Sequence, residues 1–142
     1  ARVAVFRQQS GGALSAAAWN TRGGWSRVYG DDSFAIVTGS AIRLKVVGNY
    51  FIMFSALGYS CGLHRASIKD GDGVSYIEGC NAYAGLGQQS VSSGAGFLAI
   101  SSGTLDVLLK HYATYANAVN GQGVTIGGAI DDWFGQVVII GL

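Results

Sequence analysis

Between Gly48 and Leu57 apolar residues fall on both faces of any extended strand: Tyr50, Ile52 and Phe54 on one, Phe51 and Met53 with Ser55 on the other. A half-solvated antiparallel strand alternates apolar with polar, so this run needs cover on both sides. Val137 to Leu142 repeats the pattern, with Val137 and Ile139 facing one way and Val138, Ile140 and Leu142 the other. A second sheet of the same chain can cover one face of such strands. The other face calls for a partner chain, and the expected subunit interface consists of Tyr50, Ile52, Phe54, Val138 and Ile140.

The remaining pattern predicts short strands. Arg2 to Gln8 alternates and is closed by Ser10-Gly11-Gly12. Ala13 to Trp19 reads as a short edge strand rather than a helical turn, because it is uncapped and runs into Asn20, Gly23 and Gly24. Further strands are expected at Trp25 to Tyr29, Phe34 to Val37, Ile42 to Val46, Leu63 to Lys69, Val74 to Glu78, Val91 to Ser101, Thr104 to Tyr115 and Val124 to Ile126. The Asp70-Gly71-Asp72-Gly73 step between two of them is a hairpin signal. About ten strands with turn residues between them predict an all-β antiparallel sandwich or jelly roll.

The 142 residues fit a single domain, 1–142, large enough to bury about two-thirds of its unfolded surface. Charged residues make up 12% and apolar ones 49%, with a net charge of +1, so no field favours nucleic acid or an anionic membrane surface. No apolar run approaches the roughly 18 residues of a membrane helix. The 23 Gly lie among β-formers without a fixed period and there is no Pro, which excludes collagen within these residues and suits many tight turns. The first residue is not Met, so the expectation is the C-terminal part of a longer fibrous protein.

Candidate chemistry is sparse. Gly58-Tyr59-Ser60-Cys61-Gly62 fits G-x-S-x-G, yet a nucleophile elbow leads from strand to helix and this one leads to another strand. No catalytic residue, metal or cofactor is expected. Cys61, Cys80, His64 and His111 lack zinc spacing, and Asp70, Asp72 and Glu78 lack that of a calcium loop. His64 and His111 could be contact residues or a general base, but hydrogen-bonded structural roles are commoner. A hairpin turning at Asp70-Gly71 would bring Cys61 opposite Cys80, leaving disulfide and free thiols both open.

Several segments together carry a resemblance. Ala4-Val5-Phe6, Gly48-Asn49-Tyr50-Phe51, Ser93-Gly94 leading to Phe97, and the Phe134-Gly135 to Leu142 finish resemble the C1q/TNF-like jelly roll. In that family the Gly-x-Tyr strand and the last strand line a threefold axis, which implies a homotrimer. His64-Arg65-Ala66-Ser67-Ile68, Ile77 to Gly79, Ser90 to Phe97 and Asp132-Trp133 look similar to the C-terminal tip domains of bacteriophage tail fibres.

That likeness implies a non-enzymatic receptor-binding head at the tip of a virion's tail fibre. It would attach the virion to a bacterial surface glycan or outer-membrane protein. The alternative is a secreted, extracellular C1q-like recognition or carbohydrate-binding module. With strand faces taken by core and trimer contacts, recognition is expected in loops. Tyr83, Gln88, Tyr115 and Asn117 offer rings for sugar faces and amides for hydroxyls. The Asn20 to Ser33 loops with Trp25 are the fallback.

Overall fold

A computed structural model describes residues 2–125 and 133–142. Two antiparallel sheets are built from β1 (Arg2–Gln8), β2 (Trp19–Thr21), β3 (Trp25–Tyr29), β4 (Ala35–Thr38), β5 (Ala41–Leu44), β6 (Gly48–Tyr59), β7 (Gly62–Lys69), β8 (Ser75–Glu78), β9 (Ala82–Ala84), β10 (Gln89–Ile100), β11 (Leu105–Ala113) and β12 (Gly135–Gly141). One sheet has the order β10-β6-β12-β1-β3. The other runs β4-β5-β11-β7-β8, with β2 on β11 and β9 on β7. Among the described residues there are twelve strands rather than the expected ten or so: β9 forms between the strands expected at Val74 to Glu78 and Val91 to Ser101, and an edge strand forms at Trp19–Thr21, just after most of the expected one. Val124 and Thr125 are not in a strand, while Ile126 and Asp132 lie outside the described residues.

The long apolar strand is central, with β10 on one side and β12 on the other. Its even-numbered side chains form the layer between the sheets: Tyr50, Ile52, Phe54 and Ala56 are all buried within one chain, packed with Val137 and Ile139. The expected interface set therefore mixed two faces. In the β6–β12 register Tyr50, Ile52 and Phe54 lie beside Gly141, Ile139 and Val137, whereas Val138 and Ile140 lie beside Met53 and Phe51 on the opposite, outward side. Tyr50 stacks on Phe34 at 6.4 Å and donates its hydroxyl to the Val46 carbonyl, both interior contacts. Tyr50, Ile52 and Phe54 are core residues, and the outward residues of β6 are Phe51, Met53, Ser55 and Leu57.

The Asp70 turn is made as expected. Its Oδ1 accepts from the Asp72 and Val74 amides at 2.9 Å, an arrangement that closes the β7–β8 hairpin. The turn is longer than two residues, so Ile68 pairs with Ile77 and the cysteines do not meet. Cys61 is buried with its amide on the Ala84 carbonyl, Cys80 is exposed with its amide on the Ser93 carbonyl, and both are free thiols.

Candidate functional site

Arg2, Gly141 and Tyr50 are neighbours across β1, β12 and β6, so both ends of the described chain lie at the start of β6. The far end of that strand, roughly 35 Å away at 3.3 Å per residue, leads into Ser60 and the loops that hold three of the four predicted receptor residues. Tyr83 and Tyr115 line one cavity of about 360 Å³ there, together with Ser60 and Leu86. Leu86 is 97% exposed, Tyr115 67% and Tyr83 60%, so this rim offers apolar surface to solvent. Gly62 makes the recess: its φ is +72°, and a Cβ there would stand 2.5 Å from the Tyr115 ring and the Thr114 hydroxyl.

Gln88 stands at the neck of the same loop, its amide donating to Gly85 and its carbonyl accepting from Ser60. Asn117 is used differently. Its Nδ2 donates to the Tyr59 carbonyl at 3.0 Å and to Asn120 Oδ1 at 2.9 Å, and its Oδ1 accepts from Val119 and Asn120. That amide is spent on its own loop. Trp25 is buried, with Nε1 donating to the Arg22 carbonyl, which removes it as an alternative contact.

Beneath these loops lies a group the sequence did not flag. Arg22 is fully buried and all five of its N–H donors are used. Nε donates to Gln8 Oε1, Nη1 to the Leu57 carbonyl and to His111 Nδ1, and Nη2 to the Gln122 and Phe134 carbonyls, all between 2.8 and 3.0 Å. Because Arg22 can only donate, His111 Nδ1 accepts and its Nε2–H faces His64 Nδ1 at 2.8 Å. His64 Nε2–H then donates to Ser90 Oγ at 2.8 Å. The chain of bonds thus has one direction, from guanidinium to hydroxyl. Room for the His64 ring exists because residue 58 is glycine; a Cβ there would lie 2.7 Å from the imidazole.

Electrostatics follow from this burial. Desolvation lowers the Arg22 pKa to about 9. Burial first, and then the Arg22 charge, push His64 down to about 4. The same causes, with His64 added, push His111 down to about 2. A serine–histidine hydrolase needs the opposite polarity: an accepting nitrogen at the serine and a carboxylate behind the imidazole. Here the serine receives a proton donor and a cation stands behind the ring. Ser60, whose Oγ accepts the Gly87 amide at 2.7 Å, has no histidine partner among the described residues.

On the outward side of β10-β6-β12-β1 two apolar rows cross the sheet. Phe97, Phe51, Ile140 and Val3 form one, and Ala95, Met53, Val138 and Val5 the next. The Phe51 and Phe97 rings are 4.9 Å apart, and Phe97 remains 70% exposed. A third row, Ser93, Ser55, Gln136 and Arg7, is polar. There Arg7 donates to Gln136 at 2.8 Å and lies over Trp133.

No family model and no curated protein matches the chain. Solved structures do. Eiger TNF from S. frugiperda superposes with a TM-score of 0.63 at 12% identity, over 99% of this chain and 92% of that one. The globular domain of zebrafish complement 1qA gives 0.58 at 13%, over 98% and 94%. The PRD1 vertex protein P5, from a bacteriophage, gives 0.62 at 14%, over 99% and 96%. At these identities the likeness establishes the fold, a TNF/C1q-like jelly roll.

Proposed function

We propose that this chain is the receptor-binding head of a homotrimeric bacteriophage tail fibre, carried at the fibre tip on the virion. It attaches the virion to a bacterial surface glycan or outer-membrane protein. The observation that carries the reading is the placement of the Tyr83–Leu86–Tyr115 recess at the end of the sandwich opposite both ends of the described chain. A head mounted on a fibre by its N-terminal side would present this recess outward. The outward apolar rows of β10, β6, β12 and β1 support self-association, since patches of this kind mark protein contacts. The resemblance to trimeric jelly rolls supplies the number of copies. No chemistry is assigned to the head, in keeping with the reversed polarity of the Ser90–His64–His111–Arg22 chain.

The test is binding of labelled protein to a panel of bacterial strains. Binding confined to some strains, and lost in Tyr83→Ala/Tyr115→Ala while the variant keeps the parent's mass and melting curve, is the expected result. Absence of binding to every strain overturns the attachment role. Retained binding by the double variant moves the contact away from the recess.

A further inference from the structure

On the outward side of the second sheet Arg43 pairs with Asp106 and Lys110 meets Thr21. Register sets Trp19, Tyr112 and Arg65 side by side on β2, β11 and β7. With Asn81 and Thr114 they line a cavity of about 400 Å³, a size typical of small-ligand sites. The Trp19 and Tyr112 rings are 5.5 Å apart and inclined at 58°, forming an angled wall. The Arg65 guanidinium carbon lies 5.7 Å from the Trp19 ring centre, and Lys69 Nζ lies 4.1 Å from it.

Polar groups around the cleft are consumed by the protein. Ser67 donates to Glu78, Lys69 to Ser75, Lys110 to Thr21, and the Thr114 hydroxyl accepts the Leu63 amide. Inside it, Thr114 apart, they are not. Among the described residues the Arg65 fork makes no hydrogen bond, only a 3.5 Å approach of Nε to Glu78, and Glu78 is held independently by Ser67. Among the described residues Arg65, Lys69 and Lys110 share these neighbouring strand positions with one carboxylate, Glu78.

We propose that this cleft binds an acidic saccharide. The guanidinium fork suits a sugar carboxylate, in one plane and with two parallel bonds. The aromatic wall suits the C–H face of a pyranose, and the indole N–H, phenol and Asn81 amide suit its hydroxyls. The cleft is a different place from the Tyr83–Tyr115 recess, and the proposal does not depend on it.

The experiment titrates the native protein with three probes: tetragalacturonate, a glucuronate tetrasaccharide and a sialylated trisaccharide, each beside its methyl ester. Calorimetry and Trp fluorescence provide the readouts. At least one acid should bind about tenfold more tightly than its ester, and added salt should shrink that preference. Arg65→Gln should abolish the acid preference, bringing acid affinity down to that of the ester, and Tyr112→Phe should weaken both forms. Tyr83→Ala should change neither, which separates this site from the end recess. Equal binding of acid and ester, an acid preference that survives Arg65→Gln, or no binding of any probe overturns the proposal. So does capture of a Glu-rich peptide in place of every saccharide.

Discussion

Near the start of β6, one residue from the Arg2–Gly141–Tyr50 row, the outward row of the five-stranded sheet is Phe97, Phe51, Ile140 and Val3. On the other sheet, outward positions carry Arg43 against Asp106, Arg65 and Lys69 near Glu78, and Lys110 on Thr21. Both sheets use their inward residues for the same core. The difference is what the outer side asks for. Charged pairs at a wet surface are nearly satisfied by water alone, and each contributes little. Burying a residue such as Phe97 would contribute roughly 1.5–3 kcal/mol, which a lone chain forgoes. One face of this sandwich carries charges that water can satisfy, and the other carries apolar rows that the proposed self-association would cover.

The sharpest way to break that comparison is to move one residue along β6. Tyr50→Asp puts a charge into the inter-sheet core beside Phe34, and the expected loss exceeds about 4 kcal/mol, a large share of the roughly 5–15 kcal/mol that holds a domain folded. Circular dichroism should show no cooperative melt. A folded Tyr50→Asp protein would mean that Tyr50 faces outward after all.

A smaller effect comes from the bond chain that ties the ends of the two sheets together. His64 and His111 stay neutral in the fold, with pKa values of about 4 and about 2 against 6.5 when exposed. As pH falls below 6.5 the unfolded chain takes up protons that the native state cannot. Stability is therefore full above that pH and declines on acidification. Glu78 and Asp106, whose hydrogen bonds to Ser67 and Arg43 lower their pKa, act only below the ordinary carboxylate range. Melting temperatures between pH 7 and 5 thus report the histidines. His64→Gln should flatten this slope, and a slope unchanged by that substitution would place the acid sensitivity elsewhere.

The smallest effect is expected on the charged face. Arg43 holds Asp106 through two bonds, at 2.7 and 3.1 Å, yet both side chains are well exposed. Arg43→Ala should leave mass and self-association unchanged and barely move the melting temperature. Any small shift should vanish in 1 M salt. A large loss would mean that this face too is engaged.

Most strands were legible because alternation and turn residues are local signals. Which face of β6 is inside was legible as well, though from the polar residues rather than the apolar ones. Asn49 and Ser55 share the side of Phe51 and Met53, while the Tyr50 side continues through Ala56 and Gly58 with no polar residue. β12 gives the same hint, since Gln136 shares the side of Val138 and Ile140. Antiparallel register then pairs each even residue of β6 with an odd one of β12, which parity within either strand does not reveal. Tyr83 and Tyr115, which line the end recess, stand out in the sequence as aromatics among polar residues, though Tyr83 lies on β9. Arg22 does not, because an arginine before Gly23-Gly24 reads as solvated, and its five acceptors come from residues 8 to 134, far apart in sequence. The Trp19–Tyr112–Arg65 row was missed for a similar reason: it exists only through pairing of three strands.

Sedimentation velocity of the native protein beside Met53→Asp tests the central claim most directly. Met53 faces outward and is 38% exposed, so the variant can fold while placing a charge on the apolar face. The native chain should sediment at three times 14.7 kDa at micromolar concentration, and Met53→Asp as a folded 14.7 kDa monomer. A native protein that sediments as a compact monomer, or a Met53→Asp protein that stays fully assembled, would contradict the account.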